Sequence, residues 1–290
     1  MHPLLEMARN RIVIFDGAMG TVLMASGLGP GESPELWNIE KPSVVMKIHR
    51  QYYEAGAQVV HTNTFGANQF KLADRGLSDK MRLLNMEAAK IARKACPEGK
   101  FVAGDLGPTG KLLKPIGDLS ADAAEDGYYK QAHALFKGGV DLISIETMFS
   151  LEEALCALRG AKKLGNVLVS VSLTYNRTKK GFFTMMGEGV EKAVSTLEGA
   201  GADIIGANCT LGSKDMIELT KELRAATTRP ILIQPNAGQP KTRSGITTYK
   251  QTPSEFASDA KQIKAAGANM IGGCCGTNAE FIRELARAVA

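Results

Sequence analysis

Four stretches of the chain repeat one order of apolar and polar positions: AGAQVVHTNTFG from Ala55, GGVDLISIETM from Gly138, AGADIIGANCTLG from Ala200 and AGANMIGGCCGT from Ala266. Each opens on a glycine that ends a helix, runs through a short buried apolar segment and finishes on polar residues, the pattern of a parallel strand entered by a tight turn. Four further apolar runs of strand length lie between them: RIVIFDG from Arg11, KFVAGDLG from Lys100, VLVSVSL from Val167 and PILIQPN from Pro230. Together they predict eight strands. The intervening stretches carry the helical period; in LNMEAAKIARKAC, for example, Leu84, Ala88, Ile91 and Ala95 share one face. Capping boxes mark helix starts at Ser150 with Glu153, Thr252 with Glu255 and Thr277 with Glu280.

Strands alternating with helices, without a break in composition, predict one parallel sheet. Eight such units suit a closed (β/α)8 TIM barrel as a single domain over residues 1–290. The competing open, doubly wound sheet would carry a G-x-G-x-x-G turn after its first strand, and DGAMGT lacks that spacing. In a barrel the chemistry gathers where strands end. Asp16, Thr62, Asn63, Asp105, Glu146, Asn208, Cys209, Asn236, Cys274 and Cys275 are therefore expected at one mouth.

Composition narrows the function classes. No apolar run approaches the ~20 residues of a membrane span. The start, MHPLLEMARNRIVIFDG, has no basic region followed by an apolar stretch and cleavage site, so a cytoplasmic protein complete at its start is expected. Five cysteines, two of them adjacent, are not the spaced even set of a secreted disulfide scaffold and imply a reducing compartment. A net charge of +5 with a single Trp offers no platform for nucleic acid. The positive residues that matter cluster in three predicted loops: Lys111 and Lys114, then Arg177, Lys179 and Lys180, then Lys241, Arg243 and Lys250. They would rim the mouth and steer an acidic partner.

The cysteines divide by position. Cys96 and Cys156 fall on predicted helices away from the mouth and read as small buried hydrophobes. Cys209 ends the sixth predicted strand, and the vicinal Cys274 and Cys275 end the eighth, with Gly272, Gly273 and Gly276 permitting unusual backbone angles beside them. Three thiolates converging there make a zinc site with an open fourth position, the mark of a catalytic metal. Asn236, ending the seventh strand between them, is a candidate fourth ligand in the empty site. Because three negative ligands quench the Lewis acidity of zinc, such a centre suits holding a second thiol deprotonated better than activating water. The expected reaction is alkyl transfer to a substrate sulfur.

The motifs carrying these residues are DGAMGT at residues 16–21, AGAQVVHTNTFGAN at 55–68, GDLGPTG at 104–110, GANCTLG at 206–212, QPNAGQP at 234–240 and GGCCGT at 272–277. In this order, and over nearly the whole chain, the sequence resembles the zinc-dependent homocysteine S-methyltransferases, most nearly the homocysteine-binding module of cobalamin-dependent methionine synthases. The resemblance implies a (β/α)8 barrel, zinc on Cys209, Cys274 and Cys275, and homocysteine as methyl acceptor. It also implies that Asp16 and Glu146 hold the amino-acid end of homocysteine, while amides at the Gly17 turn suit its α-carboxylate.

The methyl donor implied is methylcobalamin, carried by a separate corrinoid protein or module and not bound by this domain alone. Small sulfonium or ammonium donors such as S-methylmethionine or betaine are the alternative, and a subunit that only presents the thiol is another. Few Trp or Tyr residues in the strand-end loops favour the corrinoid over a small cation. A phosphate-binding aldolase-type barrel ranks last, since no strand ends in a Schiff-base Lys. Residues 175–189, YNRTKKGFFTMMGEG, read either as a lid or as a loop that packs Phe182 and Met185 on the barrel.

Overall fold

The computed structural model describes residues 2–243 and 246–289; for residues 241–243, 246 and 247 it describes the backbone only. Eight parallel strands follow one another around a barrel: β1 (Val13–Ile14), β2 (Val59–His61), β3 (Phe101–Leu106), β4 (Leu142–Met148), β5 (Leu168–Leu173), β6 (Ile204–Gly212), β7 (Ile231–Asn236) and β8 (Met270–Ile271). β8 pairs with β1, and a parallel bridge between Phe15 and Val59 closes the ring to β2. Eight helices cover the outside: α1 (Pro42–Glu54), α2 (Met81–Ala95), α3 (Ala121–Gly138), α4 (Leu151–Lys162), α5 (Val190–Gly199), α6 (Ser213–Ala226), α7 (Pro253–Ala265) and α8 (Ala279–Val289). The fold is the expected (β/α)8 barrel, and all eight predicted strands lie in its wall. No helix of the described residues is long and apolar enough to cross a membrane.

Strand alternation sorts the side chains. Ile14, Val60, Val102, Ile143, Ile145, Val169, Val171, Ile205, Ile231 and Ile233 point outward into the helix layer, where Leu84, Ala88, Ile91 and Ala95 of α2 are buried as their period predicts. The inward set starts apolar: Val13, Phe15, Val59, Phe101, Ala103, Leu142, Leu168, Ile204, Leu232 and Met270 fill the lower barrel. Leu4 and Ala8 of an N-terminal helix (Pro3–Asn10) plug that end. Two residues further along each strand the inward positions turn polar, as Val59 gives way to His61, Ala103 to Asp105, Leu142 to Ser144, Leu168 to Ser170 and Leu232 to Gln234. The lower half is a dry core and the upper half the floor of a site.

Two of the three predicted capping boxes differ in the structure. Thr252 and Glu255 form the complete reciprocal box on α7. Ser150 caps α4 by accepting from Glu153 N, but the Glu153 carboxylate turns away to the loop after β3. At α8 the cap is Asn278, whose Oδ1 accepts from Glu280 N and Phe281 N, because Thr277 is engaged elsewhere. Its hydroxyl accepts from Ala18 N and donates to Cys274 O, tying the loop after β8 to the loop after β1.

Candidate active site at the barrel mouth

The three cysteines singled out from the sequence meet at the mouth. The sulfurs of Cys209, Cys274 and Cys275 all lie within 4.8 Å of one another, and those of Cys209 and Cys275 are 3.9 Å apart. Cys156 is buried on α4 as expected, and Cys96 caps the end of α2, half-buried.

Backbone geometry brings the sulfurs together in two ways. Cys209 does not end β6; it lies within the strand, where a register shift between Asn208 and Gly212 bulges the chain out. Cys209 and Thr210 both take left-handed conformations there, with φ 58° and 51°. Thr147 does the same at φ 59° within the irregular end of β4. Such conformations cost of order 1 to 3 kcal/mol each in non-glycine residues and gather at functional sites. The vicinal pair sits three and four residues beyond β8, pinned on both sides: Cys274 N donates to Pro235 O at 2.8 Å, Ala237 N to Cys275 O at 2.9 Å, and Gly273 N to Asp16 O at 2.8 Å.

The flanking glycines serve different ends from those expected. Only Gly276 has a positive φ, 84°. Gly272 and Gly273 are needed for close approach, since a Cβ would come within 2.7 Å of Phe15 Cβ at the first and within 2.5 Å of Thr277 Oγ1 at the second.

Beside the sulfurs is an acid cluster. Asp16, 2% exposed, accepts from His61 N at Oδ2 and faces His61 Nδ1 at Oδ1, both at 2.8 Å. His61 Nε2 lies 3.0 Å from Ser144 Oγ. Glu146 is half-buried, and its Oε2 accepts a long 3.4 Å contact from Asn208 Nδ2. The same Asn208 amide reaches Thr147 Oγ1 at 2.7 Å and Cys274 Sγ at 3.9 Å, so it bridges the acid cluster to the sulfurs. Burial, and after it the neighbouring carboxylates, raise the Asp105 and Glu146 carboxyls above their ordinary range, against the pull of His61. Burial by itself lowers His61, but Asp16, through charge and hydrogen bond, with Glu146 and Asp105 behind it, carries the imidazole up to about 10.

Gly17 follows in a buried turn where any side chain would strike Thr277 Oγ1 and the Tyr52 ring. Tyr52 OH donates to Ala18 O and fixes that turn. Asn236 is 2% exposed at the end of β7, and its Oδ1 has no hydrogen-bond partner among the described residues. An unpartnered amide oxygen in a buried place is what a ligand or a metal satisfies.

Two of the strand-end residues do other work. Thr62 Oγ1 accepts from Asp105 N and lies 2.6 Å from Thr64 Oγ1, while Asn63 donates to Pro34 O and Asn38 Oδ1. They hold the loops after β1 and β2 and do not reach the sulfurs. The residue missed between them and the core is His61. The signal for it was parity, because His61 stands two positions after inward-facing Val59 in the same strand. Tyr249, half-buried after β7, was missed as well. Burial first and the neighbouring Cys275 after it raise its hydroxyl above the ordinary range, and its ring lies against Gly276 where a Cβ would otherwise be.

The three sulfurs are unequal. Hydrogen bonds from Cys209 and Cys274, with one from Tyr249, pull the Cys275 thiol far down, while Cys274, as the proton-bearing partner of Cys209 and Cys275, is pushed well up. One thiolate is favoured in the absence of a cation, and three sulfurs this close ionise together only around one.

The homocysteine S-methyltransferase family profile matches residues 13–289, almost the whole chain. The protein belongs to the homocysteine S-methyltransferase family. Among curated relatives, it is 34% identical over 305 residues to the methionine synthase of Mycobacterium leprae and 33% identical to that of Mycobacterium tuberculosis (strain H37Rv), in each case over 99% of this chain. The chain spans about a quarter of the length of these curated relatives. Among solved structures, the metallated form of the Escherichia coli homocysteine methyltransferase MmuM superposes with a TM-score of 0.83 at 26% identity, covering 98% of this chain and 99% of that one.

The rim is less uniformly basic than its composition suggests. Lys111 is paired with Asp74 at 2.9 Å and Arg177 with Asp215 at 2.7 Å, while Lys114, Lys179, Lys180 and Lys250 are exposed and form no ion pair among the described residues. The side chains of Lys241 and Arg243 lie outside the described residues. Residues 175–189 form a short hairpin (Asn176–Thr178 with Gly181–Phe183) in which Phe182 is buried in the core and Met185 is 62% exposed. The pairing of Phe182 with Met185 on the barrel wall therefore holds for the first residue only.

Proposed function

We propose that this barrel is a zinc-dependent methyltransferase domain, one unit over residues 1–290, that methylates homocysteine to methionine. The observation that carries the proposal is the convergence of three cysteine sulfurs at the open end of the barrel beside an acid cluster. The donor set fits zinc: a sulfur separation of 3.9 Å matches the edge of a tetrahedron with Zn–S bonds of about 2.3 Å. The unpartnered Asn236 Oδ1 would supply a fourth ligand for the resting site. Bound there, zinc would keep the substrate thiol deprotonated while the cysteinate ligands preserve its nucleophilicity.

The chain's own residues bind and orient. Cys209, Cys274 and Cys275 would hold the metal, Asp16 and Glu146 would receive the α-ammonium of homocysteine, and the Gly17 turn would face its α-carboxylate. Asn208 links the two ends by touching both Glu146 and Cys274. The substrate sulfur then attacks the methyl carbon in line; the new S–C bond forms as the donor–C bond breaks with its electron pair returning to the donor, and the thiol proton leaves to solvent. Holding both reactants at attack distance supplies much of the rate.

The donor best suited to an open mouth is methylcobalamin on a corrinoid protein or module, with the exposed Lys114, Lys179, Lys180 and Lys250 facing it. Kinship to methionine synthases four times longer than this chain supports that assignment. A small donor, S-methylmethionine or betaine, is the second reading. Two observations favour it: MmuM is matched over 99% of its own chain, and the Tyr249 ring lies against Gly276, next to Cys275, an aromatic face of the kind that suits a cationic donor. Free cysteines throughout the described chain suit a reducing, cytoplasmic setting.

Turnover of homocysteine with methylcobalamin, S-methylmethionine and betaine, run side by side on the zinc-loaded protein, tests the proposal. Methionine formed from methylcobalamin alone supports the corrinoid assignment, and methionine from a small donor selects the second reading. No methionine from any of the three, nor from a methylated corrinoid protein, with zinc bound, refutes both. With a methylated corrinoid protein as donor, the double variant Lys179→Glu/Lys180→Glu is expected to lower the transfer rate about tenfold at low salt and to flatten its dependence on ionic strength. Transfer from free methylcobalamin should be unchanged.

A further inference from the structure

The acid cluster contains a residue that neither the metal nor the sulfur chemistry requires. His61 is 7% exposed and reaches the cluster with three groups: its backbone N–H and Nδ1 take both oxygens of Asp16, and Nε2 lies against Ser144 Oγ. Nothing else among the described residues hydrogen-bonds to the Asp16 carboxylate. Around the imidazole stand three carboxyl groups, Asp16, Asp105 and Glu146, and its own charge rises to meet them. Asp105 Oδ1 is buried with no partner, although its residue is only 5% exposed. Buried acids of this kind need cations, and the described residues place only one imidazole among the three.

We propose that His61 is the positioning residue for the amino-acid end of the substrate: it orients Asp16 through both carboxylate oxygens and, as one imidazole among three carboxyl groups, leaves the cluster room for a further cation, the α-ammonium of the thiol substrate. This rests on the homocysteine assignment and deepens it, making the cluster selective for amino thiols over thiols without the amine. Each Asp16 oxygen takes one contact from His61 and keeps acceptor capacity that no other described residue uses, which suits an ammonium ligand. Ser144 on β4 fixes the far edge of the ring, so that the imidazole cannot rotate away from Asp16.

Calorimetric titration of the zinc-loaded protein with L-homocysteine and with 4-mercaptobutyrate, the same thiol without its amine, tests this. In His61→Leu the affinity for homocysteine is expected to fall about tenfold or more, the size of a lost charge-assisted hydrogen bond, while 4-mercaptobutyrate binds within about twofold of wild type. Zinc content should stay at the wild-type value. His61→Asn, which keeps an N–H on the Asp16 side without the charge, should fall between the two and guards against a Leu variant that fails to fold. Unchanged homocysteine affinity in both variants would overturn the proposal, as would a parallel loss for the two thiols, which would mark His61 as merely structural. Wild-type protein that holds zinc yet binds neither thiol would overturn the homocysteine assignment itself, and this proposal with it.

Discussion

Cys274→Ala is expected to take zinc from about one equivalent to below a tenth and methyl transfer below about a thousandth of wild type, because two thiolates and an amide no longer compete with solvent for the metal. The fold should survive the change. Cys274 lies in a loop beyond β8, its backbone held by Pro235 O through a bond that alanine keeps, and no strand register depends on its sulfur. Metal analysis by plasma emission, a thermal melt and a methionine assay on the same preparation check all three points. Full zinc content and turnover in this variant would refute the metal assignment. Cys209→Ala and Cys275→Ala should behave alike, whereas Cys156→Ala on α4 should leave zinc untouched.

The largest loss of stability is expected at a residue outside the chemistry. Glu153 is 1% exposed, and its Oε1 accepts from Thr109 N at 2.7 Å, Thr109 Oγ1 at 2.6 Å and Tyr128 OH at 2.8 Å. Through them it fastens the long loop after β3, which carries Lys111 and Lys114, to α3 and α4. Glu153→Ala leaves the buried Thr109 N–H unpaired and throws the Thr109 and Tyr128 hydroxyls back on their longer bonds, to Lys111 O at 3.4 Å and Gly107 O at 3.3 Å, with a cost of about 3 to 5 kcal/mol. At roughly 2 to 4 °C per kcal/mol for a domain of this size, the melting temperature should fall by about 6 to 20 °C. Glu153→Gln keeps one acceptor oxygen and should lose about half as much. A melt within 2 °C of wild type for Glu153→Ala would show that water replaces the carboxylate without loss, and that this network does not fasten the loop.

The Ser150 and Glu153 pair shows where local pattern stops being sufficient. As a motif it reads as a capping box, and half of that box forms. The other half is outbid by partners 44 residues earlier in the chain, which only the packing of the loop after β3 on α4 brings within reach. Thr277 departs in the same way, drawn from its helix to Ala18 N across 259 residues. Thr252 has no such competitor and behaves as its local sequence predicts.

His61 is the corresponding case within the site. Its inward position was available from strand parity, but its partners come from β1 and β4, and nothing local in HTN distinguishes an imidazole facing Asp16 from one facing solvent. The bulge in β6 is similar. GANCTLG reads as a strand that ends in cysteine, yet the strand continues, and Cys209 reaches its partners only because two non-glycine residues accept left-handed backbone.

By itself the sequence determined the number and order of the strands, the closed barrel, the three cysteines that meet and the face on which they meet, because hydrophobic period and strand parity are local properties that one barrel topology converts into position. Only the tertiary structure decided the rest: that His61 takes both oxygens of Asp16, that Asn208 ties the acids to the sulfurs, that Tyr249 reaches Cys275, and that Thr62 and Asn63 stand aside. Those are choices among hydrogen-bond partners far apart in the chain. They are settled by which polar groups burial leaves in need of a partner, and burial is a property of the assembled barrel.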